Sequence, residues 1–132
     1  MIKERFVSFK TAKRLKELGF DEKCRAIYNT NGQDDESKLV FFLQNEEYTN
    51  SKTDLDWIYS APTHQMAMAW LREEKKIFID IITYPTSNNT QFRWVGYDNG
   101  RLFSQEVGKP IYFNSYEEAV EASLLYVLKN LI

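Results

Sequence analysis

The sequence is poor in the residues that cross-link a chain or bind metals. It has one cysteine, Cys24, and one histidine, His64. An internal disulfide is therefore excluded, and no zinc-ligand spacing is present. We expect a reducing compartment, no metal and no cofactor.

Long apolar runs are also missing. No stretch approaches the roughly 18 apolar residues that a membrane-spanning helix needs. The first residues, Met-Ile-Lys-Glu-Arg-Phe, lack the apolar core of a signal peptide. We expect a cytoplasmic protein that does not contact a membrane.

A strong excess of charge of either sign is absent as well, since the net charge is -2 over 132 residues. This balance excludes a strongly basic nucleic-acid module, and the aromatic fraction of 15% argues against disorder. The charge is uneven, however. Residues 1–30 carry eight Lys or Arg against four Asp or Glu, and residues 31–60 carry two against seven. The two regions can be solvated surfaces of opposite sign, or poles that steer partners or further copies together.

Two segments carry complete helix signals. Ser115 and Glu118 have the spacing of a capping box, and apolar residues then recur at steps of three and four to the end of the chain. Such a wide apolar stripe must be covered by a sheet or another helix. Ser8 can cap a first helix over Phe9–Leu18, which Gly19 would end.

The middle of the sequence predicts one more helix and five strands. The helix is expected over Thr63–Lys75. The strands are expected over Lys23–Thr30, Ser37–Gln44, Ile77–Tyr84, Gln91–Asp98 and Arg101–Val107. Residues 45–60 are polar, show no clean period and are interpreted as a long loop.

The dipeptide Asn99-Gly100 predicts a type I′ turn that sets the register of the last two strands. Tyr97 would then lie opposite Leu102, and the pairing would continue as far as Phe92 opposite Val107. Sliding this register by one residue would bring charged side chains into the core.

The same register divides the hairpin into two faces. Arg93 would lie opposite Glu106 on the outer one. The core face would carry Phe92, Trp94, Gly96, Phe103 and Val107. Together these elements predict a single α+β domain over residues 1–132. It would have an antiparallel sheet of about five strands and three helices, in the order α-β-β-α-β-β-β-α and in two layers.

The loop over residues 45–60 contains a first candidate site. Trp57, Ile58 and Tyr59 lie close in sequence to Asp54 and Asp56. If exposed, this cluster would be an aromatic spot with an acidic rim, the composition of a protein-binding hot spot. The alternative is that the three apolar residues tuck under the second helix.

The first helix contains a second candidate site for a different ligand. Lys10, Lys13, Arg14 and Lys16 have a spacing that permits phosphate contacts. Aromatic residues of the sheet, such as Trp94, Tyr97 and Phe103, could stack on bases if they faced solvent. The alternative is a charged outer face above a packed inner one, and the overall acidity disfavours nucleic acid.

An enzyme is the third reading, and we assign no catalytic residue. It would require Asp80, His64 and Cys24, or some of them, to converge in a pocket. The ordinary roles are a solvent-facing carboxylate, a helix-start residue and a buried structural cysteine. The sequence contains no glycine-rich phosphate loop and no nucleophile elbow.

Three blocks resemble a known group of proteins. Glu4–Ala12, Ala61–Glu73 and Phe113–Ala119, the last continuing to Ile132, are similar to small uncharacterised proteins encoded in phages and prophages of gut Bacteroides-type bacteria. The resemblance is weakest over residues 31–60. It implies a phage or mobile-element context and a bacterial cytoplasm, and it implies no activity.

The hypothesis that follows is a non-enzymatic binding or accessory protein with a protein partner. Its contact surface would be the loop 45–60 or the outer face of the sheet. We expect a monomer, or a homodimer through an exposed strand edge, since a meander leaves its edges uncovered.

Overall fold

The computed structural model describes residues 3–43, 46–52 and 55–132. By contacts the chain divides into two compact units, Met1–Thr63 (with Ile132) and His64–Leu131. The described residues form an α+β fold with three α-helices and two three-stranded antiparallel sheets. The prediction of a single five-stranded sheet is wrong, because each unit contains a separate three-stranded sheet.

The first helix, α1, spans Phe9–Glu17 and confirms the local signals around it. The Ser8 hydroxyl accepts a hydrogen bond from the Thr11 N–H at 3.3 Å. Gly19 has the left-handed φ of 90°, and the Phe20 N–H donates to the Leu15 carbonyl at 2.9 Å. The conformation of Gly19 and the bond from Phe20 are those of a Schellman motif, which satisfies the last carbonyls of the helix.

The sheet of the first unit has the order β2-β1-β3. Its strands are β1 (Ala26–Asn29), β2 (Lys38–Phe41) and β3 (Ile58–Ser60). The third strand lies in the segment that we interpreted as loop, which corrects the predicted element order. It is held by distant partners, because the Thr30 N–H donates to the Trp57 carbonyl and the Ala61 N–H donates to the Ala26 carbonyl.

The second unit begins with α2 (His64–Trp70), which continues through Leu71–Lys75 as a π-helical turn. Its sheet has the order β4-β5-β6, with β4 at Ile77–Pro85, β5 at Thr90–Asp98 and β6 at Arg101–Phe103.

The last helix, α3 (Tyr116–Asn130), packs on β4 and β5 and contacts α2. The Ser115 hydroxyl accepts from the Glu118 N–H at 3.1 Å, as the capping box predicts. The Glu118 carboxylate accepts instead from the N–H of Asn114, one residue before the cap. The core beneath the sheet includes the buried Trp94 and Leu124.

The β5–β6 hairpin confirms the predicted turn but ends earlier than expected. Asn99 and Gly100 both have positive φ, and Tyr97 lies opposite Leu102. The strand stops at Phe103, and Phe92 pairs with Phe113 rather than with Val107. Val107 is 92% exposed and is not a core residue.

A side-chain hydrogen bond accompanies the early end of β6. The indole Nε1 of Trp94 donates to Gln105 Oε1 at 2.8 Å, and Phe113 takes the place opposite Phe92 that we predicted for Val107. Arg93 still meets Glu106, as predicted, but through its guanidinium rather than through strand pairing: Arg93 Nε donates to Glu106 Oε2 at 2.8 Å.

Candidate functional site: the outer face of the second sheet

One face of the second sheet carries large apolar side chains that remain accessible to solvent. Side chains alternate along a strand, and in β4 the buried Ile77 and half-buried Ile79 alternate with exposed residues. We call the exposed side the outer face. Its apolar members are Phe78, Ile82, Tyr84, Val95, Tyr97 and Leu102.

Three of these residues form a continuous row across all three strands. Phe78 lies opposite Tyr97, and Tyr97 lies opposite Leu102. Their exposed fractions are 49%, 39% and 65%. Directly opposite side chains on one sheet face are about 4.5–5.5 Å apart at Cβ, so the row is contiguous apolar surface.

Charged groups frame this surface at its middle and at one end. Asp80 is exposed and lies opposite Val95. Further along, Ile82 lies opposite Arg93, whose ion pair with Glu106 is partly buried. Glu106 also accepts from the Ile111 N–H at 2.8 Å, so the pair ties the segment after β6 to the sheet.

The Arg93–Glu106 pair has a defined electrostatic character. The hydrogen bond from Arg93 lowers the pKa of Glu106, and the bond from the Ile111 amide acts in the same direction. The same contact raises the pKa of Arg93. Both effects stabilise the charged forms. The Arg93 guanidinium also lies 5.8 Å from the Tyr112 ring, which packs edge-on against Tyr84 at 5.2 Å.

The opposite, inner face carries a cluster of packed aromatic rings. Trp94 is buried and lies 6.0 Å from Phe103 and 5.4 Å from Tyr126, centroid to centroid. A Cβ added to Gly96 would come within 2.2 Å of the Phe103 ring, so the ring occupies the space above the glycine. Of the aromatics considered for base stacking, Tyr97 meets the condition of facing solvent, and Trp94 does not.

The aromatic and acidic residues predicted to bind a protein partner in the first unit lie in different environments. Trp57 is 40% exposed and Asp56 is exposed, whereas Ile58 and Tyr59 are half-buried in β3. Asp54 lies outside the described residues. A binding role for this cluster stays a prediction, with Trp57 as its exposed aromatic residue.

The Tyr59 ring packs against residues of α1. It packs edge-on against Phe9 at 5.2 Å, and the Lys16 ammonium lies 4.9 Å from its centroid. The ring therefore packs against the first helix. Burial raises the pKa of its hydroxyl.

Most of the basic residues on α1 are engaged within the first unit. Lys13 donates to Asp34, and Arg14 donates to Glu17 at 3.0 Å. Lys16 donates to the Ile58 carbonyl at 2.7 Å, and partial burial lowers its pKa. Lys10 is exposed. These contacts leave less positive charge for a phosphate backbone than the sequence implied.

The three residues considered for catalysis have environments that match ordinary roles. Asp80 lies in a solvent-facing row. His64 is buried, and its Nε2 lies 3.1 Å from Glu121 Oε1. Cys24 is buried, and desolvation raises its pKa to about 12. A thiol with a raised pKa is a poor nucleophile at neutral pH.

No cluster of three or more His, Cys, Asp or Glu suited to a metal ion occurs within residues 3–43, 46–52 and 55–132. An open groove of about 750 Å³ lies in the first unit. Its lining mixes both signs of charge with aromatic rings: Lys23, Phe42, Glu46, Glu47, Tyr48, Thr49 and Lys52. This mixture selects no particular ligand chemistry.

Comparison with known proteins finds no matching family model, no matching curated protein and no matching solved structure. None of the helices that the structure describes has the length and apolar character to cross a membrane.

The predicted solvent-facing carboxylate Asp80 is a signal for the whole outer face, and our predictions did not extend it to the neighbouring residues. Asp80 interrupts an apolar strand, and a charged residue in such a run usually marks the solvent side. Because side chains alternate, Phe78, Ile82 and Tyr84 must share the face of Asp80. The exposure of this set could therefore have been predicted from one carboxylate.

Proposed function

We propose that this protein is a non-enzymatic binding protein that recognises a protein partner through the outer face of the β4-β5-β6 sheet. The resemblance described above supports an accessory role in a phage or mobile element.

The contiguous row of Phe78, Tyr97 and Leu102 is the observation that carries this proposal. Scattered apolar residues on a surface need no explanation, but a row across three adjacent strands is costly to leave in water. Aromatic side chains supply much of the affinity in protein interfaces because they bury a large area with few rotatable bonds.

The surroundings of the row favour a protein over a nucleic acid. The charged residues at outer-face positions of the three strands are the exposed Asp80 and Arg93, and the Arg93 charge is paired with Glu106. A phosphate backbone requires unpaired cations. A partner with an apolar patch and a basic residue placed to meet Asp80 would complement this surface.

The test compares two variants that each remove exposed apolar surface. Tyr97→Ser combined with Leu102→Ser removes two members of the row. Val107→Ser removes a side chain that is 92% exposed but lies beyond the end of β6, and it serves as the control. Each protein is used to capture partners from a Bacteroides-type lysate treated with nuclease, and the captured protein is then titrated in purified form by calorimetry.

We expect the double variant to weaken the affinity for the purified partner by at least about tenfold and Val107→Ser to leave it unchanged. Equal affinity for wild type and the double variant would contradict the proposal. Binding that disappears on nuclease treatment would contradict it as well, and would return the basic residues of α1 to consideration.

A further inference from the structure

The strand β4 has one edge whose backbone groups can be identified from the hydrogen bonds around it. Phe92 and Phe113 exchange two backbone hydrogen bonds, at 2.9 and 2.7 Å. The backbone N–H and C=O groups of Phe92 therefore point away from β4. Hydrogen-bonding direction alternates along a strand. The odd-numbered residues of β5 therefore direct their N–H and C=O groups toward β4, and they bond to the even-numbered residues of β4.

The hairpin end of the β4–β5 ladder shows the same alternation of hydrogen-bonding direction. The Thr86 N–H donates to the Asn89 carbonyl at 2.8 Å, which continues the pairing by even-numbered residues of this strand. The N–H and C=O groups of Ile77, Ile79, Ile81 and Thr83 consequently point away from β5. No backbone hydrogen bond joins them to any other part of the chain that the structure describes.

Pro85 occupies the next edge-facing position of β4. Proline has no N–H to donate, and within sheets it is tolerated where that donor would face an open edge. The position of Pro85 therefore agrees with the conclusion from Phe92 and Thr86 that odd-numbered residues of β4 point their backbone groups away from β5. Ile77 is buried, so we call the row from Ile79 to Pro85 the open edge.

We propose that the open edge pairs with the open edge of a second copy of this chain, antiparallel and about a two-fold axis at Ile81. The two sheets would join into one antiparallel sheet of six strands. This inference goes beyond the proposed function, because it concerns the edge of β4 rather than the outer face.

Side-chain complementarity selects a second copy and this register. Phe78 would lie opposite Tyr84 of the partner subunit, once on each side of the axis, and both residues are exposed in the single chain. Cross-strand aromatic pairs stabilise sheets. When an antiparallel strand pairs with a copy of itself, its two ends lie opposite each other, and β4 has an aromatic residue near each end.

The charge on β4 disfavours one of the two neighbouring registers. With the axis at Ile81, Asp80 lies opposite Ile82 of the partner subunit. A shift that placed the axis at Asp80 would bring two carboxylates directly opposite each other, which destabilises a strand pair. A shift by a single residue would join the inner face of one sheet to the outer face of the other.

Sedimentation equilibrium over a range of protein concentrations tests the pairing. Thr83→Pro removes an edge-facing donor from an exposed position, and Thr83→Val at the same position keeps the donor. We expect wild type and Thr83→Val to show a reversible monomer–dimer equilibrium. Thr83→Pro should weaken association by at least about tenfold, since the symmetry removes the bond twice.

A cross-linking test decides the register and does not depend on the proline variant folding. Asp80→Cys and Ile82→Cys change exposed positions, and opposite residues in a pair without mutual hydrogen bonds lie about 4.5 Å apart at Cα, within disulfide range. One variant carries a size tag. After mixing and mild oxidation, we expect a disulfide between the two variants in large excess over either variant linked to itself.

The outcomes separate this inference from the proposed function. A wild-type protein that is monomeric at every concentration, or a Thr83→Pro variant that associates like wild type, would overturn the dimer. Efficient cross-linking of Asp80→Cys to itself would overturn the register. Partner binding lost in the Tyr97/Leu102 double variant alone leaves the dimer standing, because neither residue lies on β4.

Discussion

Two aromatic residues of the first sheet and two of the second lie in opposite environments. In the first sheet, Tyr28 donates from its hydroxyl to the Val7 carbonyl at 2.7 Å, and its ring and that of Tyr59 both pack edge-on against Phe9. In the second sheet, Phe78 and Tyr97 lie on the outer face and are 49% and 39% exposed. An aromatic fraction of 15% thus divides between structure and exposed surface. Our proposal of partner binding is based only on the exposed rings of the outer face.

The largest expected effect separates the two faces of β5. Trp94→Ala removes a buried indole together with its bond to Gln105, and should lower the free energy of unfolding by about 3–5 kcal/mol. Tyr97→Ala, three residues away on the outer face, should change it by less than about 0.5 kcal/mol. Urea denaturation measures both. A large loss of stability in Tyr97→Ala would show that the outer face is covered.

A smaller effect should separate two neighbouring aromatics in the first unit. Tyr59→Ala loses the edge contact with Phe9 and the cation–π contact with Lys16, and should cost about 1–2 kcal/mol. Trp57→Ala should cost less than Tyr59→Ala, because Trp57 is 40% exposed whereas Tyr59 is half-buried. The thermal midpoints of the two variants provide the comparison. Equal losses would mean that the predicted aromatic cluster is structural throughout.

The smallest effect concerns pH and the ion pair beside the outer face. Because the pKa of Glu106 is lowered in the folded state, its contribution to stability is present above the unfolded value of about 4.3 and is lost as pH falls through the folded value. Glu106→Gln removes this contribution. Urea midpoints between neutral pH and about pH 3 should fall less steeply for the variant than for wild type. Identical slopes would mean that the pair contributes nothing.

The parts of the fold that were predictable are those written in local sequence. The Asn99-Gly100 turn and the Ser8 and Gly19 ends of α1 need only neighbouring residues, and the structure confirms them. The strand β3 could not be found in this way. It pairs with β1 about thirty residues earlier, and three residues carry too little pattern to indicate a strand.

The candidate site shows the same division between local and distant causes. The parity of β4 around Asp80 was readable, and so was the placement of Tyr97 and Leu102 opposite each other. The end of β6 was not, because the contacts around it, the bond from Trp94 to Gln105 and the pairing of Phe92 with Phe113, join residues that are distant in sequence. Our predicted register therefore placed Val107 in the core.

The Phe103 ring that lies over Gly96 has a consequence for how this sequence can diverge. A side chain gained at position 96 would collide with the ring, whereas a small residue at 103 would leave a hole above the glycine. Substitutions at the two positions should therefore be accepted together or not at all. Among relatives of this chain, the pair should change in step, with a bulky residue at one position matched by a small one at the other.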